Sequence, residues 1–105
     1  MNTFTLTIPG SGSAVSIAHG LPSAPVTIAK IECQSPDAGF ATGDLIEVAQ
    51  CWSAAGPGVL SVAADANSIA AAASVFSQLF IIPKSGGDPV PVDPANWKIR
   101  VYAVG

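Results

Sequence analysis

The chain opens on strict alternation. In "TFTLTI" (residues 3–8), Phe4, Leu6 and Ile8 fall on one side and Thr3, Thr5 and Thr7 on the other, the period of a half-buried β-strand. Pro9-Gly10-Ser11-Gly12 breaks it. "SAVSIAH" (13–19) then sets Val15 and Ile17 on one side, and "VTIAKIEC" (26–33) is rich in β-branched residues. "LIEVAQCW" (45–52) alternates, placing Ile46, Val48 and Trp52 on one face; "VLSVAA" (59–64) follows the break "SAAGPG". In the final "WKIRVYAVG" (97–105), Trp97, Ile99, Val101 and Ala103 face one way and Lys98, Arg100 and Tyr102 the other. Turn chemistry fills 20–25 and 34–44, and the three prolines of "SGGDPVPVDPAN" (85–96) predict a long irregular loop. Seven to eight short strands with turn signals about every ten residues predict an all-β fold, an antiparallel β-sandwich or small barrel, with the sandwich preferred. No fixed repeat or shift in composition marks a linker, so 1–105 reads as one domain.

One stretch supports two readings. In "DANSIAAAASVFSQLFIIP" (65–83) alanine favours a helix over 68–78, with Asp65 or Asn67 as its cap, whereas "LFIIP" reads as a strand. Periodicity alone leaves both open.

Composition sharpens the picture. Apolar residues make up 50% of the 105 and charged residues 10%, against about 25% charged in an ordinary soluble domain. So small a chain is expected to leave apolar surface for sister copies or a larger assembly to cover. The net charge of −3 and the lack of a basic stripe argue against nucleic acid. The uncharged stretch between Asp65 and Lys84 is mostly alanine interrupted by polar residues, which argues against membrane insertion. "MNTFTLTIPG" lacks the basic head and apolar block of a signal peptide.

Few groups could do chemistry. His19 is the one histidine, and the two cysteines, Cys33 and Cys51, form no metal-ligand pattern. No metal or cofactor is expected. A nucleophile also needs a positioned base and orienting group, so His19 reads as part of a structural turn with Gly20, and Gly43 as a second turn residue. If 26–33 and 45–52 pair as antiparallel strands, Cys33 and Cys51 lie some 20 Å apart, beyond the reach of a disulfide. Two free thiols are therefore expected, as in a reducing cytosol. Asp37, Asp44, Asp88 and Asp93 lie in or beside loops, where turn stabilisation is the ordinary role. Hydrolysis by paired carboxylates such as Asp44 and Asp65 ranks last among the functions. Trp52 and Tyr102 are candidate ligand or interface residues, with Asp44 beside them, while Trp97 opens its strand on the apolar face and reads as core.

The chain resembles a small domain of bacteriophage virion appendage proteins, of the tail-fibre and head-fibre type. The resemblance rests on His19-Gly20-Leu21, Pro25, Cys33, Gly39-Phe40, Gly43-Asp44-Leu45-Ile46, Asp65-Ala66-Asn67, Asn96-Trp97 and Arg100-Val101-Tyr102-Ala103, in that order. Pro22 stands where that pattern has a second glycine, and Asn67-Ser68 departs from its polar pair. The resemblance implies a sandwich similar to the H-type lectins, a strand rather than a helix over the alanine run, and a homotrimer. It also implies a non-enzymatic virion structural protein, a head decoration, fibre or spike subunit assembled in the host cytoplasm with other virion proteins as partners. The alternative it implies is a lectin-like module that reads host-surface glycans. A chain without a long shaft fits a compact decoration or spike-base subunit better than a whole fibre.

Overall fold

Eleven strands and no α-helix make up the computed structural model, which describes residues 1–104. They are β1 (Asn2–Thr7), β2 (Ala14–Ala18), β3 (Val26–Cys33), β4 (Leu45–Glu47), β5 (Trp52–Ser53), β6 (Gly56–Pro57), β7 (Leu60–Ala64), β8 (Ser68–Ala73), β9 (Leu79–Ile81), β10 (Val90–Val92) and β11 (Trp97–Val104). Every pairing is antiparallel. The fold is all-β and sandwich-like, but it has three sheets, and its strands outnumber the expected seven or eight because several are very short.

The long sheet runs β1-β11-β3-β4. Its backbone is the eight-residue pair β11 and β3, in full register from Trp97↔Cys33 to Val104↔Val26. Period-two alternation sends Trp97, Ile99, Val101 and Ala103 inward, all buried. Leu6, Ile99, Ile31 and Ile46 form one cross-strand aliphatic row spanning all four strands. The alanine sheet runs β2-β8-β7 and turns Ile69, Ala71 and Leu60 inward. Its other face carries Ala14, Ser16 and Ala18 from β2, Ser68, Ala70 and Ala72 from β8, and Ser61 and Ala63 from β7. A short sheet, β10-β9-β5-β6, adds Leu79, Ile81 and Val92. Residues from all three sheets join one hydrophobic core.

Three segments differ from the sequence reading. Residues 45–52 do not form one strand: β4 stops at Glu47, Val48–Gln50 makes a 3-10 turn, and Trp52 joins the short sheet opposite Phe80. The turn reverses the chain away from β3, so the extended-strand distance between the thiols does not apply. Both cysteines are nonetheless free and buried. The 85–96 segment is not wholly irregular: Val90–Val92 pairs with β9 as an edge strand, where Pro91 forfeits no ladder bond on its open side. Asp93 then caps a 3-10 turn over Pro94–Asn96 by accepting the Ala95 N–H. The alanine run is strand β8, flanked by β2 and β7. Tertiary pairing overrides alanine's helical propensity because Ile69 and Ala71 alternate into the core.

The accessible surface is 5419 Å², close to the roughly 5,400 Å² that size scaling gives a compact monomer of this mass. The chain therefore closes its own core. The apolar excess has gone instead to the alanine face and to exposed aliphatics at Val26, Ile28, Val75 and Val104.

Candidate functional site

His19 ends the β2 segment and is buried, its Nε2–H donating to the Asp65 carbonyl at 2.8 Å. The Leu21 N–H donates to Nδ1 at 2.9 Å, so Nδ1 is the accepting nitrogen and Nε2 the donating one. Gly20 supplies the left-handed turn between them at φ 67°. The Asp65 carboxylate accepts the Asn67 and Ser68 N–H groups at 2.8 and 2.7 Å. These bonds hold its carboxyl below the usual carboxylate range. Nδ1 thus braces the 19–21 turn itself, and Nε2 ties it to the β7–β8 turn.

A second knot surrounds Asp37, whose loop position alone predicts only turn stabilisation. Its Oδ2 accepts the Trp97 Nε1–H, the Asn96 amide and the Asp93 N–H, each at 3.2 Å. Phe40 meets the Trp97 ring edge-on with centroids 5.7 Å apart. Loop 34–44 is thereby stapled to the start of β11, and the Ala38 backbone bends into the left-handed region at φ 51° to close it. The available signal was the indole itself: a buried tryptophan needs an acceptor.

The three candidate ligand residues do not converge. Tyr102 stands opposite Ile28 on the outer face of the long sheet. Asp44 lies beside Cys33, whose N–H donates to its carbonyl at 2.8 Å. Five residues of β3 separate those levels, about 17 Å. Trp52 belongs to a different sheet and is 37% exposed. Asp44 pairs with Lys84 at 2.8 Å and caps the Ala41 N–H, and these bonds depress its carboxyl. The residue before it, Gly43, turns at φ 94° and donates its N–H to the Cys33 carbonyl.

Two shallow clefts open to solvent. One, of about 370 Å³, lies between β4 and the Ile82–Lys84 segment, with Phe40, Ile46 and Gln50 among its walls. Its ammonium groups are already matched, Lys30 by Glu47 and Lys84 by Asp44. The other, of about 400 Å³, is lined by Phe76, Gln78, Pro91 and Pro94, and Gln78 donates across it to the Val92 carbonyl. Among the described residues, no three His, Cys, Asp or Glu side chains gather as a metal-holding group. Burial pushes the Cys51 thiol up to about 12 and raises the Cys33 thiol as well, so neither is a ready thiolate. Among the described residues, no helix is long and apolar enough to cross a membrane.

The feature that stands out is the outer face of the long sheet. Val26 is opposite Val104, and Ile28 opposite Tyr102. Val26, Ile28 and Val104 are 74%, 57% and 56% exposed. Further along the same face the side chains become charged and paired: Arg100 donates to Glu32 at 2.7 Å, and Lys30 meets Glu47. One end of the sheet is therefore oily and the other charged, with Lys98 there outside the ion pairs among the described residues. No family model, curated protein or solved structure matches the chain.

Proposed function

We propose that the chain is a non-enzymatic structural subunit of a bacteriophage virion, a head decoration, fibre or spike component. It works by packing against copies of itself, as a trimer, and against other particle proteins. The observation that supports this reading is the apolar end of the long sheet, where Val26, Ile28, Tyr102 and Val104 form one patch across two paired strands. A contiguous oily patch on a self-contained domain marks an interaction surface. The sparse charge around it leaves little to repel a like surface. His19 and Asp37 are both engaged in holding turns. The test is the composition of gradient-purified particles of the phage encoding the chain, with a density map to locate it. Regular symmetric copies are the expected result. Absence from particles, with abundance in the lysate, overturns the reading.

A second reading, recognition of host-surface glycan, draws on the cleft walled by Phe40 and Gln50, which sets an aromatic ring beside an amide and charged groups. Binding on a glycan array that is lost in Phe40→Ala would favour it. No binding at millimolar sugar removes it.

A further inference from the structure

The edges of the three sheets are not protected alike. β4 has three residues and a charged Glu47, β6 has two and ends in Pro57, and β10 carries Pro91 at its centre. Short length, charge and proline are the ordinary ways of closing an edge to another strand. β2 and β7, the edges of the alanine sheet, also lack charge, proline and glycine, but each has five residues and turns only alanine and serine outward, so β1 is the longest of the unguarded edges. β1 has none of these guards. It is six residues of Asn, Thr, Phe and Leu, without charge, proline or glycine. Among the described residues its backbone pairs with β11 alone, and Asn2, Thr3, Thr5 and Thr7 are exposed.

The sequence of β1 also suits itself. An antiparallel copy centred on Thr5 sets Thr5 against Thr5 of the other copy and Thr3 against Thr7. On the core side it sets Phe4 against Leu6. Threonine meets threonine on the outer face, and aromatic meets aliphatic on the inner face, both favourable cross-strand pairs. Phe4 is only half buried, and the second copy would cover its open side. Arg100, next to Thr5 on β11, is ion-paired with Glu32, and Lys98 stands two positions along, next to Thr7, so the cation nearest the twofold axis is matched. Residue-centred pairing of this kind is isologous and closes on itself.

We infer that β1 is a homotypic docking edge, through which two copies join their long sheets into one eight-stranded sheet about a twofold axis at Thr5. The inference rests on the reading that the chain assembles with itself, and it names a contact distinct from the apolar patch, which lies on the face of the sheet. A single ladder of this length covers well under the roughly 1,200 Å² of a standard interface. The contact is therefore weak in isolation and gains strength where a particle holds copies side by side.

Cross-linking tests the register. Facing Cα atoms in an antiparallel pair are about 4.5–5.5 Å apart, within disulfide reach. With glutathione disulfide as oxidant, Thr5→Cys is expected to give a covalent dimer at high protein concentration. Thr3→Cys alone is expected to stay monomeric, and Thr3→Cys mixed with Thr7→Cys to cross-link. Thr5→Lys, which sets like charges opposite one another, is expected to remove any twofold association seen by light scattering while leaving the circular dichroism unchanged. Equal cross-linking of Thr3→Cys and Thr5→Cys, or none by either, overturns the inference. If Thr3→Cys and Thr7→Cys chains cross-link as readily when both also carry Thr5→Lys, the edge fails, whatever association the face supports. If the unmodified chain never associates, the assembly reading falls as well.

Discussion

The long sheet and the alanine sheet enclose the same core but are built on different terms. The long sheet fills its inner face with Trp97, Ile31, Ile99 and Val101 and its outer face with large side chains, ion-paired at one end and oily at the other. The alanine sheet offers small side chains on both faces, apart from Ile69, Leu60 and a few partly buried neighbours. What it lacks in packing it makes up in anchorage. At one end His19 ties the β2 turn to Asp65. At the other, Gly12 donates to the Ser74 carbonyl and Ala73 to that of Ser13. Side-chain volume secures one sheet, and hydrogen-bonded ends secure the other.

That contrast can be broken by mutation. Ile99 sits at the centre of the aliphatic row with no exposure, so Ile99→Ala should cost about 2–5 kcal/mol in urea unfolding. His19→Ala should cost less, about 1–3 kcal/mol, because it leaves the Asp65 carbonyl and the Leu21 N–H without their partner. A loss at His19 equal to that at Ile99 would make anchorage as important as packing. On the outward alanine face, Ala72→Val should be neutral or gain up to about 1 kcal/mol from β-propensity, whereas a strong loss would place that face against something in the isolated chain.

Acid provides a finer test. Hydrogen bonds hold the Asp65 and Asp44 carboxyls below their ordinary value of 3.8. With the folded value depressed, the stabilisation is complete above the ordinary value of 3.8 and is lost as pH falls from there through the folded value. Stability should therefore be flat near neutrality and decline below about pH 4. Asp65→Asn should flatten part of that decline, seen as thermal midpoints against pH. The smallest effect concerns the thiols. With burial raising both cysteines, a thiol-specific reagent should react with them only as fast as the chain unfolds.

The long sheet was legible because its strands obey period two without interruption: Trp97 to Val104 and Val26 to Cys33 are read as they fold. Its partners were harder. Nothing in "LIEVAQCW" announces that the chain turns at Val48, because a 3-10 turn is decided by where Trp52 finds a strand to pair with. The alanine run was ambiguous because alanine's propensity and its small size point to different elements, and only two flanking strands decide between them. The Asp37 knot was hidden for a related reason. Its donors come from Asp93, Asn96 and Trp97, more than fifty residues away, a separation no local pattern encodes. His19 was accessible from the turn residues around it, but its bond to Asp65 spans 46 positions.

Solution mass against concentration tests assembly most directly. Light scattering on the chain from about 10 µM to 1 mM, a span that covers weak protein contacts, should show multiples of the 10.5 kDa protomer accumulating with concentration. Val26→Asp together with Ile28→Asp should sharply reduce that association without unfolding the chain. A mass that stays at one protomer throughout, or association indifferent to those two substitutions, would contradict a subunit held by its oily sheet face.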